Sequence, residues 1–383
     1  MLIQELRKRV RADLEAPADL RQLGTGWFSG VAALVAAVAG LFLVLCLKYP
    51  ALLAVPPLRP YYSQPAFRVG LHVLLIGAFA AAILSLILRT NKILGFTAIT
   101  LVLLASILGS LRVQSHGELT GGAFLGLDWF VLNVVFAGFL FVPLERLFAR
   151  HKGQPLFRTD WREDLFYYLV SSLMVQALTF LSMTPAMAIL AHTHWTALRS
   201  RVGGQPVVLQ IVEIMFLTDL VQYWVHRAFH RVPMLWNFHA VHHSAQTMDW
   251  MAGARMHFIE IVVLRGTTII PMYVLGFSTL ALQVYILLVY VHSTFIHANV
   301  GWNFDRLGRF LVIPRFHHWH HGIEKEAIDV NFAIHFPLFD RLFDTYHLPK
   351  GAWPAGYGVG GHPVPHTYWR QFLYPFRKAR KAE

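Results

Sequence analysis

The sequence predicts an all-α integral membrane protein, a multi-span helical bundle with a cytosolic helical cap that carries a histidine-rich dimetal site. The 383-residue chain is 56% hydrophobic and 14% charged, with a mean hydropathy of +0.48. These values are too apolar for an ordinary soluble chain of this length. The chain also has 21 histidines, as many as its aspartates and glutamates together. Twelve of these histidines fall between His226 and His321, in the second half of the chain.

Two composition features narrow the kind of site and partner. A single cysteine, Cys46, excludes an internal disulfide, a cysteine-ligated iron–sulfur cluster and a zinc ribbon. Any metal must therefore bind nitrogen or oxygen. The net charge of +12 comes mainly from bases beside hydrophobic runs, where anionic headgroups and the positive-inside rule account for them. We therefore expect a membrane and no nucleic-acid partner.

Eight apolar runs are candidates for the membrane-embedded elements, since a span needs about 20 apolar residues. A polar, helix-prone N-terminus precedes them, and we expect it to be retained on the cytoplasmic side. The last two runs are short and joined tightly through Gly276 and Ser278, which favours a hairpin that enters and leaves on one side. The runs are residues 27–47, 67–88, 93–111, 129–147, 165–190, 207–225, 261–275 and 280–296.

The organisation predicted from these runs has three parts. Residues 1–120 form an N-terminal cytosolic helix plus three transmembrane spans of unassigned role, residues 121–350 form a catalytic domain, and residues 351–383 form a basic tail. Alternate loops differ in their content of lysine and arginine, and the richer set is assigned to the cytoplasm. This assignment brings every dense histidine cluster to the cytoplasmic side of a multi-pass protein.

Three histidine motifs have the spacing of metal ligands on helices. In HRAFH, positions i and i+4 share one helical face, and in HAVHH and HHWHH positions i, i+3 and i+4 do so, which allows three nitrogens to converge. Neutral imidazole is a common transition-metal ligand. The motifs contain His226 and His230, then His239, His242 and His243, and then His317, His320 and His321, while His257, His292 and His297 lie between them.

The number of histidines indicates two metal ions, because eight to ten nitrogens are too many for one four- to six-coordinate ion. Ligand type does not choose among iron, zinc and copper. Iron is favoured by the setting, since an interface site has many lipid C–H bonds to oxidise. Acidic and amide side chains are expected to bond the ligands' other ring nitrogens. The candidates are Asp219, Asp249 and Asn331, with Glu260, Asp329 and Asp340 also nearby.

The motifs together resemble the fatty acid hydroxylase and sterol desaturase superfamily of membrane histidine-box di-iron oxygenases. DLVQYWVHRAFH, LWNFHAVHHS, MDWMAGARMH, FIHANVGWN, PRFHHWHHG and NFAIHFPLFDRLFDTYHLP occur in the family's order, within residues 129–349. The resemblance implies that the eight histidines of the three motifs are catalytic ligands and that His257 and His297 are further metal ligands. It leaves open whether His292 or His318 ligates.

The resemblance also implies the chemistry. Two iron ions, for which zinc is able to substitute in a purified sample, would use O2 and electrons from a separate reductase or ferredoxin-like donor. The expected activity is hydroxylation of a lipid drawn from the bilayer, either a sterol, fatty acyl, sphingoid or ether lipid. A desaturase that uses the same centre is the nearest alternative. A histidine-rich metal transporter and a lipid sensor are alternatives of another class.

Overall fold

The computed structural model describes residues 2–109, 122–302, 304–360 and 364–377. Over these residues the chain is helical with no β-strand and two isolated β-bridges, which confirms the predicted all-α class. The helices are α1 (Leu2–Leu14), α2 (Trp27–Lys48), α3 (Pro50–Leu53), α4 (Pro65–Leu88), α5 (Ile93–Ile107), α6 (Leu127–Leu147), α7 (Trp161–Leu173), α8 (Val175–Ala191), α9 (Thr196–Gly203), α10 (Val207–Arg231), α11 (Pro233–His243), α12 (Phe258–Leu275), α13 (Thr279–His297), α14 (Pro314–His320), α15 (Leu338–Leu342) and α16 (Tyr368–Leu373).

Six of the described helices are long and apolar enough to cross a membrane, which fits a multi-pass membrane protein. They are α2, α4, α6, α10, α12 and α13. The predicted run 165–190 differs from the structure, because α7 and α8 meet at Met174 with a bend of 65°. Hydropathy reports the apolar character of a segment and not its direction. The bend therefore could not be predicted from the hydropathy of this run.

The third predicted run corresponds to α5, which has 15 residues. Several sequence expectations fall on residues outside the described ranges. They are the end of this run at residues 110 and 111 and the domain boundary at 120.

The first compact unit contains residues 1–135, 154–158 and 172–176. Its helices α2, α4 and α5 pack through small side chains, including the fully buried Ala37, Ala82 and Ala98. A Cβ at Gly40 would come within 2.5 Å of the Leu75 side chain. Small residues let helix backbones approach closely in lipid, where packing replaces the hydrophobic effect as the driving force.

Two buried carboxylates tie the ends of these helices together within the first unit. Asp13, at the end of α1, forms an ion pair with Arg89, which follows α4. Asp128, at the start of α6, accepts a 2.5 Å hydrogen bond from Tyr62 Oη and bonds from the backbone N–H of Val55. Because each charge or polar group has partners, its burial among apolar helices is tolerated.

The second compact unit contains residues 136–153, 159–171 and 177–383, and α10 lies at its centre beside α11, α12 and α13. The connection between α12 and α13 is short because Gly276 adopts φ 78°, a left-handed conformation that glycine tolerates well. Ser278 then caps α13 by accepting from Ala281 N–H. The C-terminal ends of α10, α11 and α13, together with α14 and the residue that follows it, carry the closely spaced histidines of this unit.

Candidate metal centre

Nine histidines of the second unit form two clusters of ring nitrogens. Within each cluster, one nitrogen from every member lies within 4.8 Å of the others. His230 is partly buried by its whole-residue exposure, and the other eight are buried. Cluster A contains His226, His230, His239, His243 and His320, and cluster B contains His242, His297, His317 and His321.

The division between the clusters follows the i, i+4 spacing of the helices and separates the histidine at i+3. Histidines four apart share a cluster, as His239 and His243 do, whereas His242 joins the other cluster. The expectation that three nitrogens of one motif converge is therefore wrong. Residues 242 and 243 are separated by about 100° around the helix axis, so their rings diverge to opposite sides of His239. HHWHH divides in the same way, with His320 apart from His317 and His321.

Backbone carbonyls define which nitrogen of four cluster histidines carries the proton. A carbonyl oxygen only accepts, so the Nδ1 atom facing it must donate and Nε2 must hold the lone pair. The Nδ1–carbonyl distances are 2.8 Å from His226 to Phe332, 3.0 Å from His242 to Arg255, 2.7 Å from His297 to Ser293 and 2.8 Å from His320 to Val330. Four Nε2 lone pairs are therefore free to bind a cation.

The remaining geometry fits metal ions in both clusters. In cluster B, His242 Nε2 and His297 Nε2 lie 3.2 Å apart although both Nδ1 protons are committed to carbonyls. Two lone pairs cannot hydrogen-bond to each other, whereas a cation between them would satisfy both. In cluster A, His230 Nε2 is buried with no hydrogen-bond partner. A set of neutral imidazoles suits iron, zinc or copper.

Burial keeps these ligands neutral at physiological pH. Desolvation lowers the pKa of the α11 and α14 cluster histidines well below the ordinary value, and neighbouring imidazoles lower it further. A neutral imidazole offers the lone pair that a metal needs. The residues concerned are His239, His242, His243, His317, His320 and His321.

Two carboxylates contact cluster A directly. Glu260 Oε1 lies 2.5 Å from His239 Nδ1, and its side chain is fully buried. Asp329 Oδ1 lies 3.4 Å from His230 Nδ1, while its other oxygen lies 3.3 Å from Arg231. A carboxylate on the outer ring nitrogen fixes the orientation of a ligating imidazole and raises its basicity.

Asp219, Asp249 and Asn331, which we predicted would bond the outer ring nitrogens of the ligands, instead make the following bonds to backbone groups around the site. Asp219 accepts from the backbone N–H groups of residues 334–336. Asp249 accepts from Met251 and Ala252 in the turn after α11. Asn331 donates to the carbonyls of Phe316 and His347 and accepts from His347 N–H. These bonds shape the loops that carry or orient the cluster histidines.

The predicted ligand His257 lies outside both clusters. Its Nδ1 accepts from Ile259 N–H at the start of α12, and its Nε2 donates to Phe372 O at 3.0 Å. Its ring also stacks on Phe372. His318 bonds Tyr357 Oη, and His292 bonds Val312 O, so these two histidines also lie outside the clusters.

Asp164 and Arg255, which no sequence motif indicated, hold the backbone group that orients His242 of cluster B. Arg255 is buried and its Nε donates to Asp164 Oδ1 at 2.6 Å. The backbone carbonyl of Arg255 is the acceptor for His242 Nδ1. The available signal was an acidic residue in the first turn of α7, just before its apolar, aromatic stretch, but the partner of this residue is 91 positions away.

Comparison with known proteins matches residues 211–345 to the family model described as fatty acid hydroxylase. The chain is 30% identical to the ornithine lipid hydroxylase of Rhizobium tropici over 178 residues, 46% of this chain and 53% of that protein. It is 29% identical over 153 residues to human alkylglycerol monooxygenase, 38% of this chain and 32% of that protein. With Arabidopsis thaliana methylsterol monooxygenase 1-3 it shares 25% over 144 residues, 36% of this chain and 48% of that protein.

The aligned region thus spans about half of the bacterial relative and less than half of the human and plant ones. The family match contains the motifs of α10, α11 and α14 and the end of α13. No solved structure matches the chain.

Proposed function

We propose that this chain, a member of the fatty acid hydroxylase and sterol desaturase superfamily, is a membrane-bound, O2-dependent oxidoreductase that hydroxylates a C–H bond of a lipid at a non-haem di-iron centre. The observation that carries the proposal is the convergence of nine imidazoles in two adjoining clusters of a helical membrane protein. Rings of the two clusters contact each other, for example His243 and His321 with centroids 4.3 Å apart. Two metal ions in such clusters would act on one substrate.

The substrate class is a membrane lipid. The relatives are named for an ornithine lipid, an alkylglycerol and a methylsterol, which share apolar chains or rings and residence in a bilayer. A sterol, fatty acyl, sphingoid or ether lipid fits this description. Membrane helices that lead directly into the clusters would let such a molecule approach from the bilayer, without passing through water.

The proposed ligands are the five histidines of cluster A for one iron and the four of cluster B for the other. Bound iron would supply the redox chemistry by which O2, two electrons and two protons convert a C–H bond to C–OH and release one water. Each turnover would consume two electrons that the side chains of the protein do not provide. We therefore assign the supply of these electrons to a separate reductase or ferredoxin-like donor. Zinc is able to occupy the same nitrogen ligands.

The chain's own residues would hold and orient the site. Carbonyls of Phe332, Arg255, Ser293 and Val330 fix the rings of four ligands, and Glu260 fixes His239. This outer layer keeps each Nε2 directed inward. The burial of the rings excludes bulk water from the ligands, which protects an oxidising site from side reactions.

We place the clusters on the cytoplasmic side of the membrane. Loops with many lysines and arginines alternate along the chain with loops that have few of them. If every predicted run crosses the bilayer, the loops with many lie on the same side as His226, and such loops favour the cytoplasm. This side would give the site access to a soluble electron donor.

The proposal is tested in cells that express the chain under heavy-isotope dioxygen. We expect a lipid that gains one heavy oxygen atom and purified protein with two iron ions per chain. His242→Ala and His320→Ala, one from each cluster, should lose metal and product while remaining in the membrane. His194→Ala, at an exposed histidine outside the clusters, is the matched control.

The same experiment separates the alternatives. A lipid that loses two hydrogens without gaining heavy oxygen would identify a desaturase. Full turnover in either cluster variant would contradict the ligand assignment. An unchanged lipid profile together with iron-free protein would overturn the proposed function, and metal flux that depends on His242 would then favour a transporter.

A further inference from the structure

Helix α10 provides a measure of depth, because it is a candidate membrane span that rises about 1.5 Å per residue. The chain after α14 runs along this helix away from its histidine-bearing end. Asp329 pairs with His230 and Arg231 at that end. Three residues later, the Phe332 carbonyl accepts from His226. The segment has thus already moved one turn along the helix.

The next residues lie beside the middle of α10. Asp219, which is twelve residues before Arg231, accepts from Ile334, His335 and Phe336 N–H at 2.7, 3.2 and 2.7 Å. Phe339 then packs on Phe216 with ring centroids 5.2 Å apart. Phe216 is fifteen residues before Arg231, so the segment has moved about 22 Å along α10 from Asp329.

The chain then returns toward the histidines. Phe343 packs on Trp224 with centroids 4.6 Å apart, and Thr345 Oγ1 lies 2.8 Å from Tyr223 Oη. Residues 329–345 therefore go down one side of α10 and come back beside it. This path has the shape of a re-entrant loop and not of a cap confined to the helix end.

The backbone of the descending part has the partners that burial in a membrane requires. Irregular backbone survives at membrane depth only where protein groups satisfy its N–H and C=O groups. Asp340 accepts from Phe332 and Ala333 N–H at 2.7 and 2.9 Å. Asp219 accepts from the next three N–H groups, so two buried carboxylates satisfy five successive donors.

The outward face of the loop is exposed and mostly apolar. Arg341 is the charged exception on α15, and its guanidinium donates to Arg309 O and lies over the Tyr346 ring. Leu338 and Leu342 on α15 are 45% and 63% exposed, beside the 42% exposed Phe216 of α10. Phe310 is 72% exposed, and the segment that carries it is joined to α15 by the Arg341 bond to Arg309 O. Contiguous exposed apolar groups mark a surface that water does not normally cover.

We propose that residues 332–343 form a re-entrant element embedded in the half of the bilayer nearer the histidine clusters, with Leu338, Leu342 and Phe310 in contact with lipid acyl chains. Acyl chains are the occupant because the apolar face continues from Phe216, on the exposed surface of a membrane-spanning helix. The proposal depends on α10 crossing the membrane and is independent of the reaction.

The test places a nitroxide spin label at single cysteines of the full-length protein in lipid nanodiscs. The native Cys46 is replaced by serine, and Leu342→Cys, Leu338→Cys and Phe310→Cys are labelled one at a time. Collision with oxygen, which concentrates in acyl chains, is compared with collision with a water-soluble nickel chelate. Ile328→Cys is the matched control, because Ile328 is 63% exposed like Leu342 but adjoins Asp329 at the helix end.

We expect the oxygen-to-nickel collision ratio to be severalfold higher at positions 338, 342 and 310 than at 328. Nickel access at position 342 equal to that at 328 would overturn the proposal, because the loop would then lie in water. Low collision with both reagents at all three sites would also overturn it, by showing that protein covers the face. The iron content of each labelled protein is measured in the same samples. A failure of the proposed iron centre is thereby distinguished from a failure of the re-entrant loop.

Discussion

The carboxylate of Glu260 makes the contact that most directly fixes the geometry of cluster A. It is fully buried in α12 and lies 2.5 Å from His239 Nδ1. His239 Nε2 lies 3.0 Å from His226 Nε2 and 3.1 Å from His243 Nε2, so its ring is central in the cluster. A shift of this one ring would disturb the positions of several ligands.

Glu260→Ala is expected to lower the affinity of cluster A for metal by about 10- to 100-fold, because His239 would lose the partner that fixes its orientation. Glu260→Gln keeps an oxygen that can accept from Nδ1 and should retain most of the affinity. Metal content after graded treatment with a chelator measures the difference. Equal retention by the alanine variant and the unmodified protein would refute this role.

His257, which the family resemblance implies as a metal ligand, is expected to be dispensable for metal binding. Its two ring nitrogens are bonded to Ile259 N–H and Phe372 O, outside both clusters. His257→Ala should therefore keep its metal content but lose about 2 kcal/mol of stability through the two missing hydrogen bonds. Elemental analysis and thermal unfolding measure the two effects, with His242→Ala as the metal-free comparison. Loss of metal from a folded His257→Ala protein would restore the residue to the ligand set.

At the level of elements, sequence spacing predicted much of the site. The i and i+4 histidines of α10, α11 and α14 do share clusters, since helical periodicity alone places them together. The assignment of His242 and His320 to different clusters from their neighbours needed the relative positions of four helices. The roles of the Arg255 and Phe332 carbonyls could not be predicted either, because every residue type has the same backbone acceptor.

The loop 332–336 shows how an element without regular structure can still position a ligand. Asp219 and Asp340 hold its five N–H groups, and its Phe332 carbonyl orients His226. Asp340 also accepts from Thr345 Oγ1 at 2.7 Å. The buried carboxylates thus connect α10 and α15 to the ligand through the backbone.

Asp340→Ala is expected to destabilise the protein by about 3 kcal/mol, because it leaves two buried backbone donors and a hydroxyl without their charged acceptor. Asp340→Asn should cost less, since its amide oxygen still accepts. The midpoint of thermal unfolding measures both, and Glu326→Ala, at an exposed acid in the same unit, is the control. A midpoint for Asp340→Ala equal to that of the control would show that this carboxylate carries no structural role.

At the scale of the whole molecule, apolar run length predicted the helices well. The runs 27–47 and 207–225 became α2 and α10, which begin at the predicted residues and end one and six residues further on. The bend between α7 and α8 was not predictable, because hydropathy is the same in a straight and a bent segment. The division into three parts at 120 and 350 stays a prediction, since residues 110–121 lie outside the described ranges.

The membrane topology depends on two elements, helix α5 and the bent pair α7 and α8. The lengths of these elements do not show whether they cross the bilayer. Helix α5 has 15 residues and is about 22 Å long, shorter than a hydrocarbon core of about 30 Å. The bent pair α7 and α8 has two possible arrangements, either one broken span that crosses the membrane or a re-entrant loop that does not. If both cross once, the N-terminal tail and the histidine clusters share a side; if one of them fails to cross, the two lie on opposite sides.

The charge pattern favours the shared cytoplasmic side, and this gives the last prediction. In a Cys46→Ser background, Arg9→Cys in α1 and Ile328→Cys beside Asp329 should react with a membrane-impermeant maleimide only after cells are permeabilised. Leu198→Cys in α9, between α8 and α10, should react in intact cells. Labelling of 9 and 328 on different sides would mean that α5 or the bent pair does not cross. Labelling of both in intact cells would invert the assignment and move the clusters away from cytoplasmic electron donors.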